Sequence, residues 1–174
     1  RTLITNRHVI APMSGHPSGE FTARFGFERG EGAIIRDGFR TGFENDWLVF
    51  SRPHDPVDET ERPNAPPRPE NLDYAIVRLK EQPDGIEPVA LDEIGTTAKG
   101  NDILLIQHPA GAPKKVSFGR ITEIAGEDRR QRYDANTKAG SSGSPVLDHT
   151  GRLVGLHHAG DPNFERLATY NQAI

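Results

Sequence analysis

Apolar and polar residues alternate with a period of two over short stretches of this chain, and Gly, Pro and Asp punctuate them. The pattern predicts strands at Phe21–Glu28, Asp46–Phe50, Tyr74–Leu79, Ile103–Gln107, Val116–Glu123, Gln131–Asp134, Gly143–Leu147 and Arg152–His158. A sustained helical period is absent, and only Asn163–Ile174 carries a helical reading. Many short strands between turn signals are the pattern of an all-β barrel protein.

One stretch breaks the rhythm. Ser51 to Asn71 is dense in proline and charge and has no apolar period, so it is expected to be a long exposed loop that does not pack. A surface insertion between two strands is the favoured reading, ahead of a flap that contacts substrate or regulates.

Bulk composition narrows the function classes. The 174 residues suit one compact unit or two small halves sharing an interface. A net charge of −4 with scattered Lys and Arg lacks the clustered basic face that nucleic acid needs. Without cysteine there are no disulfides, no thiolate catalysis and no common zinc knuckle, and the compartment is left open. No run of about 20 apolar residues is present, so no membrane-spanning helix is expected. The chain opens at Arg1 without a methionine, shortly before a histidine of interest, and reads as an excerpt of something longer.

Three segments carry chemistry: Leu3-Ile4-Thr5-Asn6-Arg7-His8-Val9, Asp73-Tyr74-Ala75-Ile76-Val77 and Gly140-Ser141-Ser142-Gly143-Ser144-Pro145. A serine hydroxyl is a poor nucleophile near neutrality, and it needs a base and a site for the developing negative charge. The Gly/Ser turn offers the hydroxyl and the backbone N–H groups, with Gly140 free to turn its N–H inward. His8, expected at a strand end, can accept the proton because imidazole has a reference pKa of about 6.5. Asp73 opens an apolar strand, where a half-buried carboxylate can fix the imidazole tautomer. The order His, Asp, Ser matches the chymotrypsin arrangement and differs from the subtilisin and α/β-hydrolase orders.

These motifs resemble those of trypsin-fold bacterial serine proteases, and the glutamyl endopeptidases in particular. That family's serine region has the form Tyr-Asp-x-x-Thr-x-x-Gly-x-Ser-Gly-Ser-Pro, and this chain reads Tyr133-Asp134-Ala135-Asn136-Thr137-Lys138-Ala139-Gly140-Ser141-Ser142-Gly143-Ser144-Pro145. Gly155-Leu156-His157-His158-Ala159-Gly160-Asp161-Pro162-Asn163 and Gln107–Lys114 resemble further segments of these enzymes. The resemblance implies two antiparallel six-stranded β-barrels, with an N-terminal barrel over residues 1–88 carrying His8 and Asp73. A C-terminal barrel over residues 89–174 would carry Ser142. The first barrel is expected to be incomplete, because the family's strand before the histidine segment falls outside the chain.

The same resemblance implies Ser142 as nucleophile and the N–H groups of Gly140 and Ser142 as the oxyanion hole. It implies Thr137 and His157 as the pocket for a glutamate or aspartate before the scissile bond, where an imidazolium and a hydroxyl would donate to the carboxylate. Asn136 stands where basic-specific relatives place an aspartate. No cofactor or metal is implied, since adjacent His157 and His158 on a strand face opposite sides. His108 is expected to be structural, and His16, His54 and His149 to lie in solvent-exposed loops.

A serine endopeptidase acting on protein or peptide substrates is the leading reading. A catalytically silent binding module is one alternative. An effector protease fused to further domains in a multidomain bacterial protein is another.

Overall fold

The computed structural model describes residues 1–59, 66–91, 93–125, 127–160 and 171–173. Strand β1 (Thr2–Thr5) leads into the one-turn helix α1 (Arg7–Ile10), followed by β2 (Ala23–Phe25), β3 (Glu28–Arg29), β4 (Ile35–Arg36), β5 (Phe39–Thr41), β6 (Phe43–His54) and β7 (Leu72–Leu79). The later strands are β8 (Asp102–Gln107), β9 (Lys115–Ala125), β10 (Arg130–Tyr133), β11 (Pro145–Asp148), β12 (Leu153–Gly160) and β13 (Asn171–Ala173).

The later strands close a barrel in the order β10-β13-β12-β11-β8-β9. The earlier ones form a three-stranded sheet, β1-β7-β6, with two-stranded ribbons β2-β5 and β3-β4 beside it. Among the described residues, therefore, only the later strands close a barrel. Each half has its own core: Ile103, Leu105, Ile121, Tyr133, Ala135, Val146, Val154 and Ala173 fill the barrel. Ile10, Met13, Phe43, Ala75, Val77 and Leu79 lie under the open sheet.

Strand alternation explains how polar groups enter these cores. On β7 the buried face reads Asp73, Ala75, Val77, Leu79, so the period of two carries Asp73 inward with its apolar neighbours. On β8 the buried face reads Ile103, Leu105, Gln107, and the glutamine follows the same track.

Three sequence expectations need correction. The strand before His8 ends at Thr5, and His8 sits on α1, where the chain turns back so that the histidine backbone N–H reaches Asp73. Part of the proline-rich stretch packs after all. Ser51, Arg52 and His54 pair with Ala75, Tyr74 and Leu72 at the end of β6. Pro53 is accommodated because β6 is an edge strand.

Beyond β6, the buried carboxylate of Asp55 accepts from Val57 N (3.1 Å), Arg68 N (3.0 Å), Arg68 Nε (3.1 Å) and Asn71 Nδ2 (3.2 Å). One side chain thus ties together Val57, Arg68 and Asn71 from a stretch that lacks an apolar period. Lastly, Asn171–Ala173 is a strand, because its backbone closes the barrel between β10 and β12. The rest of the segment expected to be helical, 163–170 and 174, lies outside the described residues. Among the described residues no helix is long and apolar enough to cross a membrane.

Candidate active site

Asp73 is almost fully buried, at 1% exposure, and sits at φ 55° where its strand begins. Asn6 Nδ2 donates to its carbonyl oxygen at 3.0 Å and braces this left-handed backbone. The carboxylate receives three N–H groups. The His8 backbone N–H donates to Oδ1 at 3.0 Å, and His8 Nδ1 donates to Oδ2 at 2.6 Å. His158 Nδ1 donates to the same Oδ2 at 3.2 Å. Burial pushes the carboxyl pKa up, but the hydrogen bonds from His158 and His8 and the His8 charge outweigh it. They hold Asp73 well below the usual carboxylate range. The bond from Nδ1 to Asp73 fixes the ring and leaves Nε2 as its other nitrogen.

Ser142 is half-buried on the turn between β10 and β11. That turn approaches β1 so closely that a Cβ on Gly143, at φ 85°, would come within 2.5 Å of Thr5 Oγ1. Only glycine fits both that backbone angle and that gap. The amides of Ser141, Gly143 and Ser144 donate to Lys138 O (3.0 Å), His157 O (2.8 Å) and Ser141 O (3.1 Å). Those of Gly140 and Ser142, among the described residues, donate to no backbone carbonyl. Gly140 itself lies at φ 91°. Ser141 is 0% exposed and donates its hydroxyl to Gln107 Oε1 at 2.6 Å. His8 and Asp73 are joined directly; among the described residues Ser142 makes no hydrogen bond to His8.

The adjacent histidines diverge as strand geometry requires, though both are buried at an irregularity in the β12–β13 pairing. His157 is tied to the serine turn through its backbone, donating from N to Ser144 O at 2.9 Å and accepting from Gly143 N at 2.8 Å. Its Nδ1 meets Tyr133 Oη at 2.6 Å. Burial, with the charges of His158 and His8, pushes the His157 pKa down to about 3, and burial pushes the Tyr133 hydroxyl up. The tyrosine therefore donates to Nδ1, and neutral His157 carries its proton on Nε2. This corrects the expected imidazolium. Thr137 is partly buried on the segment after β10, and exposed Asn136 accepts from Gln107 Nε2 at 2.8 Å through its carbonyl. His108 has a structural partner, donating Nδ1–H to Ala112 O at 3.0 Å.

Sequence reasoning missed His158 and Gln107. The period of two on β8 was a usable signal for Gln107, whereas the partner of His158 depends on how the two halves meet.

A pH expectation follows from these shifts. The His157 pKa is lower folded than unfolded, so its contribution to stability is complete above about pH 6.5 and is lost as pH falls toward 3. Asp73, also depressed, adds a loss of the same sign below about pH 4. Denaturant midpoints measured from pH 8 to 4 should fall steadily, and His157→Gln should flatten the decline between pH 6.5 and 4. An unchanged slope in that variant would contradict the assignment.

A model described as the trypsin-like peptidase domain matches residues 1–156, and the chain belongs to that family. The glutamyl endopeptidase of Staphylococcus aureus (strain MW2) is 26% identical over 167 residues, which cover 93% of this chain and 45% of that protein. An uncharacterised Sinorhizobium fredii protein is 29% identical over 180 residues, covering 94% of this chain and 24% of that one. The chain thus spans less than half the length of these curated relatives. The solved structure of the HtrA-type protease AlgW with a decapeptide is similar in fold, with TM-score 0.59 and 22% identity over 99% of this chain and 44% of that one. By family, then, the chain is a trypsin-like peptidase domain, and its mostly-β fold is the one shared with that solved structure.

Proposed function

We propose that the chain is a serine endopeptidase domain acting through His8, Asp73 and Ser142. The observation that carries this reading is the 2.6 Å bond between His8 Nδ1 and buried Asp73, beside the Gly140–Ser144 turn. Ser142 Oγ attacks the peptide carbonyl while His8 Nε2 takes its proton. The N–H groups of Gly140 and Ser142 receive the oxyanion, as supported by their lack of backbone acceptors. The imidazolium then protonates the departing amine, and an acyl-enzyme remains on Ser142. Water, deprotonated by His8, releases it.

The side chain before the scissile bond is glutamate, with aspartate second. Its carboxylate accepts from His157 Nε2 and Thr137 Oγ1, and Asn136 supplies no anion to attract Lys or Arg. A neutral imidazole donor is supported by the Tyr133–His157 bond, and the likeness to a glutamyl endopeptidase favours the acidic pocket. Removing a hydrogen bond to a charged group is worth about 10- to 100-fold. His157→Ala should therefore cut kcat/KM by about that factor for a glutamate peptide, and by less than about threefold for its alanine counterpart. Matched peptide pairs measure this, and equal losses on both would sink the pocket assignment.

A further inference from the structure

Gln107 is a polar group of the barrel interior whose place is explained neither by the triad nor by the specificity pocket. Gln107 is 4% exposed at the end of β8, in line with Ile103 and Leu105. Its Oε1 accepts the Ser141 hydroxyl at 2.6 Å, and its Nε2 donates to Asn136 O at 2.8 Å. The direction of this chain is fixed chemically. Ser141 Oγ also accepts from Lys138 N at 3.3 Å, so its own proton goes to Gln107. A carbonyl such as Asn136 O only accepts, so the amide nitrogen must face it. One buried amide therefore pins both ends of the segment 136–141.

That segment contains Thr137 and Gly140. It is gripped a second time, by backbone, where Ala110 N donates to Ala139 O at 2.7 Å just beyond Gln107. A Cβ on Gly140 would lie 3.3 Å from both Ala110 N and His108 O, so the turn rests directly on the chain that follows β8.

We propose that Gln107 is a positioning residue for the serine turn. Through Ser141 it holds the Gly140 and Ser142 N–H groups at the separation an oxyanion needs, and through Asn136 it sets the wall that carries Thr137. The inference rests on the peptidase reading above. Pre-organised donors act on the transition state more than on bound substrate. Loss of Gln107 should therefore appear in kcat and in affinity for a tetrahedral analogue, with little change in KM.

The test compares the full chain with Gln107→Leu, Ser141→Ala and the double variant. The measurements are thermal unfolding, kcat and KM on a glutamate peptide amide, and inhibition by the matching peptide boronate and by the product peptide. Each single variant should lose about 10- to 100-fold in kcat with KM within about threefold. Boronate affinity should fall in parallel while product binding holds, and the double variant should be no worse than Gln107→Leu. Ser141→Ala removes one oxygen only, so it carries the test if Gln107→Leu does not fold. A kcat within twofold of the unaltered chain in folded Ser141→Ala overturns the proposal, as do parallel losses in boronate and product binding. If the unaltered chain neither turns over nor takes a fluorophosphonate on Ser142, the peptidase reading itself fails, and this inference falls with it.

Discussion

Ser142→Ala is expected to lower kcat by roughly 10⁴- to 10⁶-fold while leaving thermal unfolding unchanged. Three serines share this turn, and structure separates them. Ser141 is 0% exposed and its hydroxyl is spent on Gln107. Ser144 is 7% exposed and its backbone is bonded to Ser141 and His157. Ser142 remains, half-buried, beside the turn's approach to β1. A fluorophosphonate should therefore label Ser142 alone, read by peptide mass spectrometry, and Ser142→Ala should abolish the adduct. The large factor arises because no neighbouring hydroxyl can take over: water would have to attack an unactivated amide. Turnover within tenfold of the native chain, or label on Ser141 or Ser144, would show that the nucleophile is misassigned.

The second large effect is on stability. Arg130 and Asp58 form a two-pronged ion pair, with Nε to Oδ1 at 3.0 Å and the second nitrogen to Oδ2 at 2.6 Å. Their side chains are 1% and 4% exposed. Arg129 adds a bond to Pro67 O at 3.0 Å. The proline-rich stretch is thereby clamped to β10, the strand that carries Tyr133. Arg130→Met takes the two-pronged cation away from a carboxylate buried out of water, which costs about 3–5 kcal/mol. For a chain of this size that lowers Tm by roughly 10 °C. The double variant Arg130→Met/Asp58→Leu should recover most of the loss, since replacing both charges by apolar groups of similar volume is often neutral. Thermal unfolding checks both variants, and a single variant within about 1 kcal/mol of native would contradict a dry, paired site.

The same clamp shows why composition misled over Ser51–Asn71. A segment without apolar period has no face to bury, and so reads as loop. Its described residues are held by charges instead: Asp55 accepts from Val57, Arg68 and Asn71, and Asp58 finds an arginine 72 residues away. Charge in a sequence does not announce its partner. His158 makes the point within the candidate site. Its neighbour His157 was singled out through a motif, whereas the bond from His158 to Asp73 spans 85 residues and arises only where barrel and sheet meet.

What the sequence determined by itself is local in origin. The period of two on β7 and β8 turns Asp73 and Gln107 inward, the glycines at 140 and 143 permit the serine turn, and the order of His, Asp and Ser segments marks the family. These follow from backbone geometry and from residues close in the chain, so they do not depend on the global arrangement. Tertiary structure alone decided which polar groups answer one another: Gln107 with Ser141, Arg130 with Asp58, His158 with Asp73, and Tyr133 with a His157 whose charge burial removes. Those pairings depend on strand register and on the packing of the two halves, because a buried donor must meet an acceptor within about 3 Å, and no linear pattern encodes that distance.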